Sequence, residues 1–305
     1  MKVNAIMPRG YCYGVINAIS LAKQARKDYP NEKIYILGMI VHNKYIVEAL
    51  KLLNIETLED KSKSKLDLLD EIDEGVVILS AHGSAKEIKE KAIKRNLIVY
   101  DATCKDVTKT HVLIKEYLNQ GYDVLYYGKK DHPEANAALS ISDKIHLITN
   151  EDDLNNLVID NNKILLTNQT TLSIVDAKKI FDLARTIYPN IVLTEEICNA
   201  TRVRQEAVLK IENSDIVFVV GDPTSNNSNK LASIARKNNN DVYMIESVED
   251  IDIEWLKNKK EAAITSGAST PTYLTNMVIE YLKQFNYDDK NTYKKPDIEI
   301  ERILE

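Results

Sequence analysis

Residues 96–118 read NLIVYDATC followed by KDVTKTHVLIKEYL, an apolar run, a cysteine at position 104 and then a stretch with helical spacing. The same shape occurs as VNAIMPRGYC with YGVINAISLAKQA (3–25), around Cys12, and as NIVLTEEIC with NATRVRQEAVLKI (190–211), around Cys198. The cysteines stand 92 and 94 residues apart, and the chain has no others. Regular self-similarity means one structural unit used repeatedly.

Each third carries two further apolar runs that end in polar loops. KIYILGMIVHN (33–43), DVLYYGKKDHPE (123–134) and DIVFVVGDPTSNNSN (215–229) form one set. GVVILSAHGS (75–84), KILLTNQTT (163–171) and EAAITSGAST (261–270) form the other. Short apolar strands alternating with helical patterns predict an α/β fold with mostly parallel sheets. The expected domains are 1–103, 104–196 and 197–285, with a charged tail at 286–305 that either adds an edge strand through DIEIERI or stays mobile. Helices are expected from a stripe of Val15, Ile16, Ile19, Ala22 and Ala25, from a Ser84–Glu87 capping box, and from Thr270 and Pro271 as N-cap and first helical residue. In parallel α/β sheets, ligands gather beyond the carboxyl ends of strands. All nine polar loops occupy that place. Three similar domains about a pseudo-threefold axis aim them at one cavity, although the pattern equally permits three separate sites.

The 305 residues are 44% hydrophobic and 28% charged, with a net charge of −6, which argues against a basic nucleic-acid footprint. No apolar run approaches the ~18 residues of a membrane helix, and MKVNAIMPRGYCYG lacks a secretory core and cleavage site. A cytoplasmic location is expected. Three cysteines are too few for a disulfide framework and fit a reducing compartment.

Buried thiols are the plain reading of any one cysteine. Three at matching positions point instead to metal. Structural zinc takes four ligands at short spacings, whereas iron–sulfur clusters accept distant cysteines and, with only three, leave one iron open to substrate. The loop residues His42, His82, His132, Thr170, Ser225, Asn226, Asn227 and Ser269 are neutral donors at expected helix starts, suited to a phosphate or diphosphate. No GxxxxGK[ST] is present. Glu134, after Pro133, is either a helix-terminus charge or a proton donor whose pKa burial raises. His111 and His146 read as structural.

PRGYCYGV, VHN, SAHG, DATC, HPE, NQTT, EICNATRVRQ, SNNSN and GAST, in this order over residues 1 to about 285, resemble the 4-hydroxy-3-methylbut-2-enyl diphosphate reductase family. The resemblance implies a trefoil of three α/β domains around a 4Fe–4S cluster held by Cys12, Cys104 and Cys198. It implies diphosphate binding by His42, His82, His132, Ser225, Asn227 and Ser269. Thr170 and Glu134 then hold and protonate the substrate hydroxyl, and a ferredoxin or flavodoxin supplies electrons. The implied reaction is reductive dehydroxylation to isopentenyl and dimethylallyl diphosphate, the last step of the methylerythritol phosphate route. Lys105, Ser84 and Asn226 depart from the usual proline, valine and second serine. ANAALS after Glu134 replaces a glycine-bearing stretch, which leaves the backbone there open to question. Two rival readings are a 4Fe–4S hydro-lyase acting without net redox and an iron–sulfur sensor.

Overall fold

The computed structural model describes residues 1–60, 62–212 and 214–305. The chain begins with β1 (Lys2–Ala5), α1 (Tyr13–Asp28), β2 (Ile34–Leu37), α2 (Lys44–Leu52), β3 (Ile55–Leu58), α3 (Lys65–Asp70), β4 (Val76–Leu79), α4 (Lys86–Lys94) and β5 (Ile98–Asp101). It continues through α5 (Lys105–Asn119), β6 (Asp123–Tyr127), α6 (Pro133–Leu139), β7 (Ile145–Ile148), α7 (Glu151–Asn156), β8 (Ile164–Asn168), α8 (Ile174–Ile187) and β9 (Val192–Leu193). The last elements are α9 (Asn199–Leu209), β10 (Ile216–Val220), α10 (Asn226–Asn238), β11 (Val242–Ile245), β12 (Glu261–Ser266) and α11 (Thr272–Gln284).

These elements form two compact units. One comprises Met1–Ile16, Val41–Leu53 and Asn199–Glu305, and holds a four-stranded sheet in the order β11-β10-β12-β1. The other comprises Asn17–Ile40 and Asn54–Cys198, with two four-stranded sheets, β3-β2-β4-β5 and β7-β6-β8-β9. Every pairing is parallel. The order is the same each time: second strand, first strand, third strand, then the strand that leads to a cysteine. The cysteine strand is always an edge.

Burial explains this composition. Every residue of β4 (VVIL), β8 (ILLTN) and β10 (IVFVV) is buried, because the central strands of a parallel sheet are covered on both faces. Phe218 and Val220 pack with Val278 and Leu282 on one face, while Val217 and Val219 pack with Leu231 and Ala235 on the other, as a two-residue period requires. The edge strands β1, β5 and β9 are only half-buried.

The chain departs from three consecutive stretches in two respects. β1 pairs with β12, from Lys2 opposite Glu261 to Ala5 opposite Ile264, so the first strand completes the last sheet. Residues 41–53 belong with the C-terminal stretch, where the Asp222 carboxylate accepts from the Lys44 backbone N–H at 2.9 Å and Lys44 pairs with Glu246.

Local expectations are corrected at four places. In α1 the buried stripe is Val15, Ala18, Ile19, Ala22 and Ala25; Ile16 is 49% exposed, since it lies ~100° around the helix from Val15. α4 starts one residue later than its sequence suggests, with Ala85 as N-cap and no side-chain cap, so Ser84 and Glu87 form no capping box. Pro271 is the N-cap of α11, and the Thr270 hydroxyl donates to the Val220 carbonyl at 2.9 Å instead. The tail forms 3-10 turns at Lys290–Tyr293 and Ile300–Leu304 rather than a strand, and Ile303 and Leu304 are buried.

Candidate active site

The three cysteines occupy the same local geometry. Each immediately precedes a helix, α1, α5 or α9, and follows an edge strand. Cys12 donates its backbone N–H to the Ala268 carbonyl at 2.9 Å, Cys104 to Ala81 at 3.0 Å, and Cys198 to Thr170 at 3.1 Å. Each cysteine is therefore tied to the loop after the third strand of its own sheet. Two of these loops are pinned again just before the cysteine: Gly10 N–H donates to Ser266 Oγ at 2.7 Å, and Glu196 N–H to Asn168 Oδ1 at 3.0 Å. All three cysteines are partly exposed and none forms a disulfide. The thiolate is the form of cysteine that ligates metal.

Basic residues on the cysteine-headed helices brace neighbouring cysteine loops. From α5, Lys109 pairs with Glu196 at 2.9 Å, two residues before Cys198. From α9, buried Arg204 donates to the Gly10 carbonyl at 2.8 Å, two residues before Cys12. Lone basic residues inside helical patterns carry no sequence signal of this role.

The other expected residues lie beyond the carboxyl ends of the first and third strands of each sheet, which are neighbours. His42, His132 and Ser225 follow β2, β6 and β10; His82, Thr170 and Ser269 follow β4, β8 and β12. Ser225 caps α10 by accepting from Ser228 N–H at 3.3 Å, and its Oγ lies 3.4 Å from that of Ser269. Ser269 also donates to the His42 carbonyl at 3.1 Å. Asn226 and Asn227, in the first turn of α10, are buried. Among the described residues, neither end of the Asn227 amide has a hydrogen-bond partner. A buried primary amide so placed at a helix N-terminus is suited to an anion. Asp222, read only as part of an apolar run's polar end, orders this loop through Lys44 and Thr224 N–H.

In the other unit, the rings of His82 and His132 meet edge to face, 5.4 Å between centroids. His132 caps α6, its Nδ1 accepting from Glu134 N–H at 3.2 Å. Glu134 is 2% exposed. Its carboxylate accepts from Thr170 N–H at 2.7 Å and from Thr170 Oγ1 at 3.0 Å. Burial dominates over these donors and pushes the Glu134 carboxyl up to about 7. ANAALS causes no strain: residues 133–139 are regular helix, and the left-handed residue of the loop is Asp131, with φ 60°. Glycine is not needed at 136 or 137, and Ala135, Ala137 and Ala138 are buried.

His111 lies on α5, its imidazole kept toward the neutral form by burial and Lys115. His146 Nε2, on β7, is 3.5 Å from Asp123.

A family described as LytB protein matches residues 3–283. A protein of Geobacillus kaustophilus called 4-hydroxy-3-methylbut-2-enyl diphosphate reductase is 45% identical over all of this chain and 97% of its own length. One of Bacillus subtilis with the same description is 44% identical over all of this chain and 98% of its own. A solved E-1-hydroxy-2-methyl-but-2-enyl-4-diphosphate reductase from Plasmodium falciparum superposes with a TM-score of 0.87 at 32% identity, covering 94% of this chain and 89% of its own. A second solved structure, of (E)-4-hydroxy-3-methyl-but-2-enyl diphosphate reductase, covers 93% of this chain and all of its own at 28% identity, TM-score 0.67.

Proposed function

The chain belongs to the LytB family, and we propose that it is a 4-hydroxy-3-methylbut-2-enyl diphosphate reductase, taking the allylic alcohol to isopentenyl and dimethylallyl diphosphate as the last step of the methylerythritol phosphate pathway. The family implies an iron–sulfur cluster. The residues fit one: three cysteines outside any disulfide, each at a helix start and each fixed by a backbone hydrogen bond to a donor-rich loop. Cys12, Cys104 and Cys198 are the ligands of a 4Fe–4S cluster, with the three repeats as domains around it. When bound, the cluster supplies electrons and a Lewis-acidic iron without a protein thiolate.

The protein's own groups do the rest. Ser225, Asn226, Asn227 and Ser269, with His42, His82 and His132, hold the diphosphate through neutral donors and the positive end of α10. The Thr170 hydroxyl meets the substrate hydroxyl and passes it protons from Glu134. A carboxyl with pKa about 7 is half-protonated near neutrality, the condition under which a general acid works best. The balance is two electrons and two protons: the carbon–oxygen bond breaks, one proton leaves with the hydroxyl as water, and one adds at either end of the allylic carbons. A ferredoxin or flavodoxin in the cytoplasm is the electron source. Among the described residues no helix is long and apolar enough to cross a membrane.

The observation that carries this reading is the buried Glu134–Thr170 pair on the loop that also anchors Cys198. Anaerobically prepared protein with dithionite-reduced viologen is expected to consume 4-hydroxy-3-methylbut-2-enyl diphosphate. Reductant-independent hydration of an organic acid, with no turnover of the diphosphate, overturns the reading in favour of a hydro-lyase.

A further inference from the structure

We propose that Asp222 is a positioning residue for diphosphate binding, its carboxylate fixing the His42 loop against the first turn of α10. The proposal rests on the reading that these two segments hold a diphosphate.

Asp222 follows β10 and is 4% exposed. Its Oδ1 accepts from the Thr224 N–H at 2.8 Å and from the Thr224 hydroxyl. Its own carbonyl accepts from the Ser225 N–H at 3.0 Å. These bonds fold residues 222–225 into the turn that delivers Ser225 as the N-cap of α10. The other carboxylate oxygen, Oδ2, accepts from the Lys44 N–H at 2.9 Å. Lys44 is the first residue of α2, and its N–H is among those a helix cannot satisfy internally. Asn43 Oδ1 takes the next two, from Tyr45 and Ile46. One carboxylate therefore shapes the start of α10 and completes the start of α2.

Residues 42–44 are held by all three loops at the carboxyl ends of β10, β11 and β12. Asp222 takes the Lys44 N–H, Glu246 pairs with the Lys44 ammonium, and Ser269 donates to the His42 carbonyl at 3.1 Å. The Lys44 side chain is 48% exposed, so its ion pair adds little. Ser269 is itself a proposed substrate donor. Asp222 is the buried tie whose hydrogen bonds all go to protein groups. By charge alone, an acid three residues before Ser225 opposes a diphosphate. The two roles predict opposite signs. Removing the charge tightens anion binding if Asp222 only repels, and weakens it if the tie to Lys44 sets the geometry.

Asp222→Asn keeps the shape but leaves one oxygen for donors on two sides, so one side loses its acceptor. Lys44→Pro removes the donor instead. Proline suits the first helical position, and Asn43 before it is already extended, with φ −162° and ψ 119°. Lys44→Ala loses the same side chain but keeps the N–H, and serves as its reference. In anaerobic holoprotein, Asp222→Asn against the parent, and Lys44→Pro against Lys44→Ala, should each raise the calorimetric Kd of inorganic diphosphate about tenfold. The KM of the diphosphate substrate should rise alike, with kcat changed by less than about threefold. Combining Asp222→Asn with Lys44→Pro should weaken binding no further than the stronger single change. Unchanged or tighter binding in Asp222→Asn, or a lowered melting temperature alone, makes the acid a turn residue and sinks the proposal. A Lys44→Pro protein that matches Lys44→Ala sinks it too. The underlying reading fails separately: a parent protein that neither binds inorganic diphosphate nor turns over the diphosphate substrate has no such site.

Discussion

Glu134→Gln should make the protein more stable and nearly inactive, and the stability gain should grow with pH. The carboxyl is held at about 7 in the fold, mainly by burial, against an ordinary 4.5. Its folded pKa is raised, so the sign runs opposite to that of a paired surface acid. Below about pH 4.5 the group is protonated in both folded and unfolded chains and costs nothing. Between about 4.5 and 7 the unfolded chain releases its proton while the folded chain retains it, and stability falls. Above 7 the penalty is complete, at ~3 kcal/mol for a shift of this size. Glutamine carries no charge to desolvate and keeps an acceptor for one of the two Thr170 donors, so it escapes this penalty. Losing the other contact costs ~1 kcal/mol at every pH. The variant should therefore gain ~2 kcal/mol relative to the parent on going from about pH 5.5 to pH 8, read by denaturant titration at both. Turnover should drop ~10²–10⁴-fold with iron content unchanged, and mostly in kcat. A stability difference independent of pH, or a rate near that of the parent protein, refutes the argument that burial primes this carboxyl as an acid.

Four other outcomes are expected. Anaerobic protein should contain about four iron and four sulfide per chain, and Cys→Ser at 12, 104 or 198 should lose or damage the cluster; stoichiometric zinc without iron would count against the assignment. Arg204→Met should leave the Gly10 carbonyl without its charged donor, costing ~1.5–3 kcal/mol, and speed iron loss in a chelator challenge; an unchanged rate means the brace does not matter. Asn227→Ala should raise KM for the diphosphate by roughly tenfold or more with a modest kcat change; an unaltered KM would remove this amide from the substrate site. Deleting residues 300–305 should lower the melting temperature, because Ile303 and Leu304 lose their burial and Tyr11 its 2.6 Å bond to the Ile303 carbonyl, beside Cys12; an equal melting point would show the tail to be dispensable.

The repeat was legible because parallel α/β units write themselves as short apolar runs ending in polar loops, and those runs became β2, β4, β6, β8, β10 and β12. The positions of the loop donors followed directly. Less legible was which strand closes which sheet. β1 pairs across the whole chain with β12, a contact no local pattern can announce. The expected caps Ser84 and Thr270 each fall one residue before the observed ones, Ala85 and Pro271, because several residues compete for the turn and tertiary hydrogen bonds decide, as Thr270 shows by donating to Val220. The glycine-free stretch after Glu134 looked awkward in isolation, yet it folds as a helix whose alanines fit the core.

The strand order gives these local facts a common cause. Each cysteine strand finishes one sheet as its edge, and the helix that follows its cysteine starts the next repeat. An edge strand has one neighbour only, so its end needs other restraints if it is to present a ligand at a fixed place. The restraints observed are of three kinds: a backbone bond to the third loop at all three cysteines, a polar side chain from the third strand at two, and a basic residue from a cysteine-headed helix at two. Because Lys109 and Arg204 each stand on the helix following one cysteine and hold the loop before another, the loops are linked in sequence rather than supported independently. Loosening one brace should therefore disturb two cysteine loops, and Lys109→Met combined with Arg204→Met should accelerate iron loss by more than the product of the single effects. Multiplicative effects would mean that each loop is held by its own sheet alone.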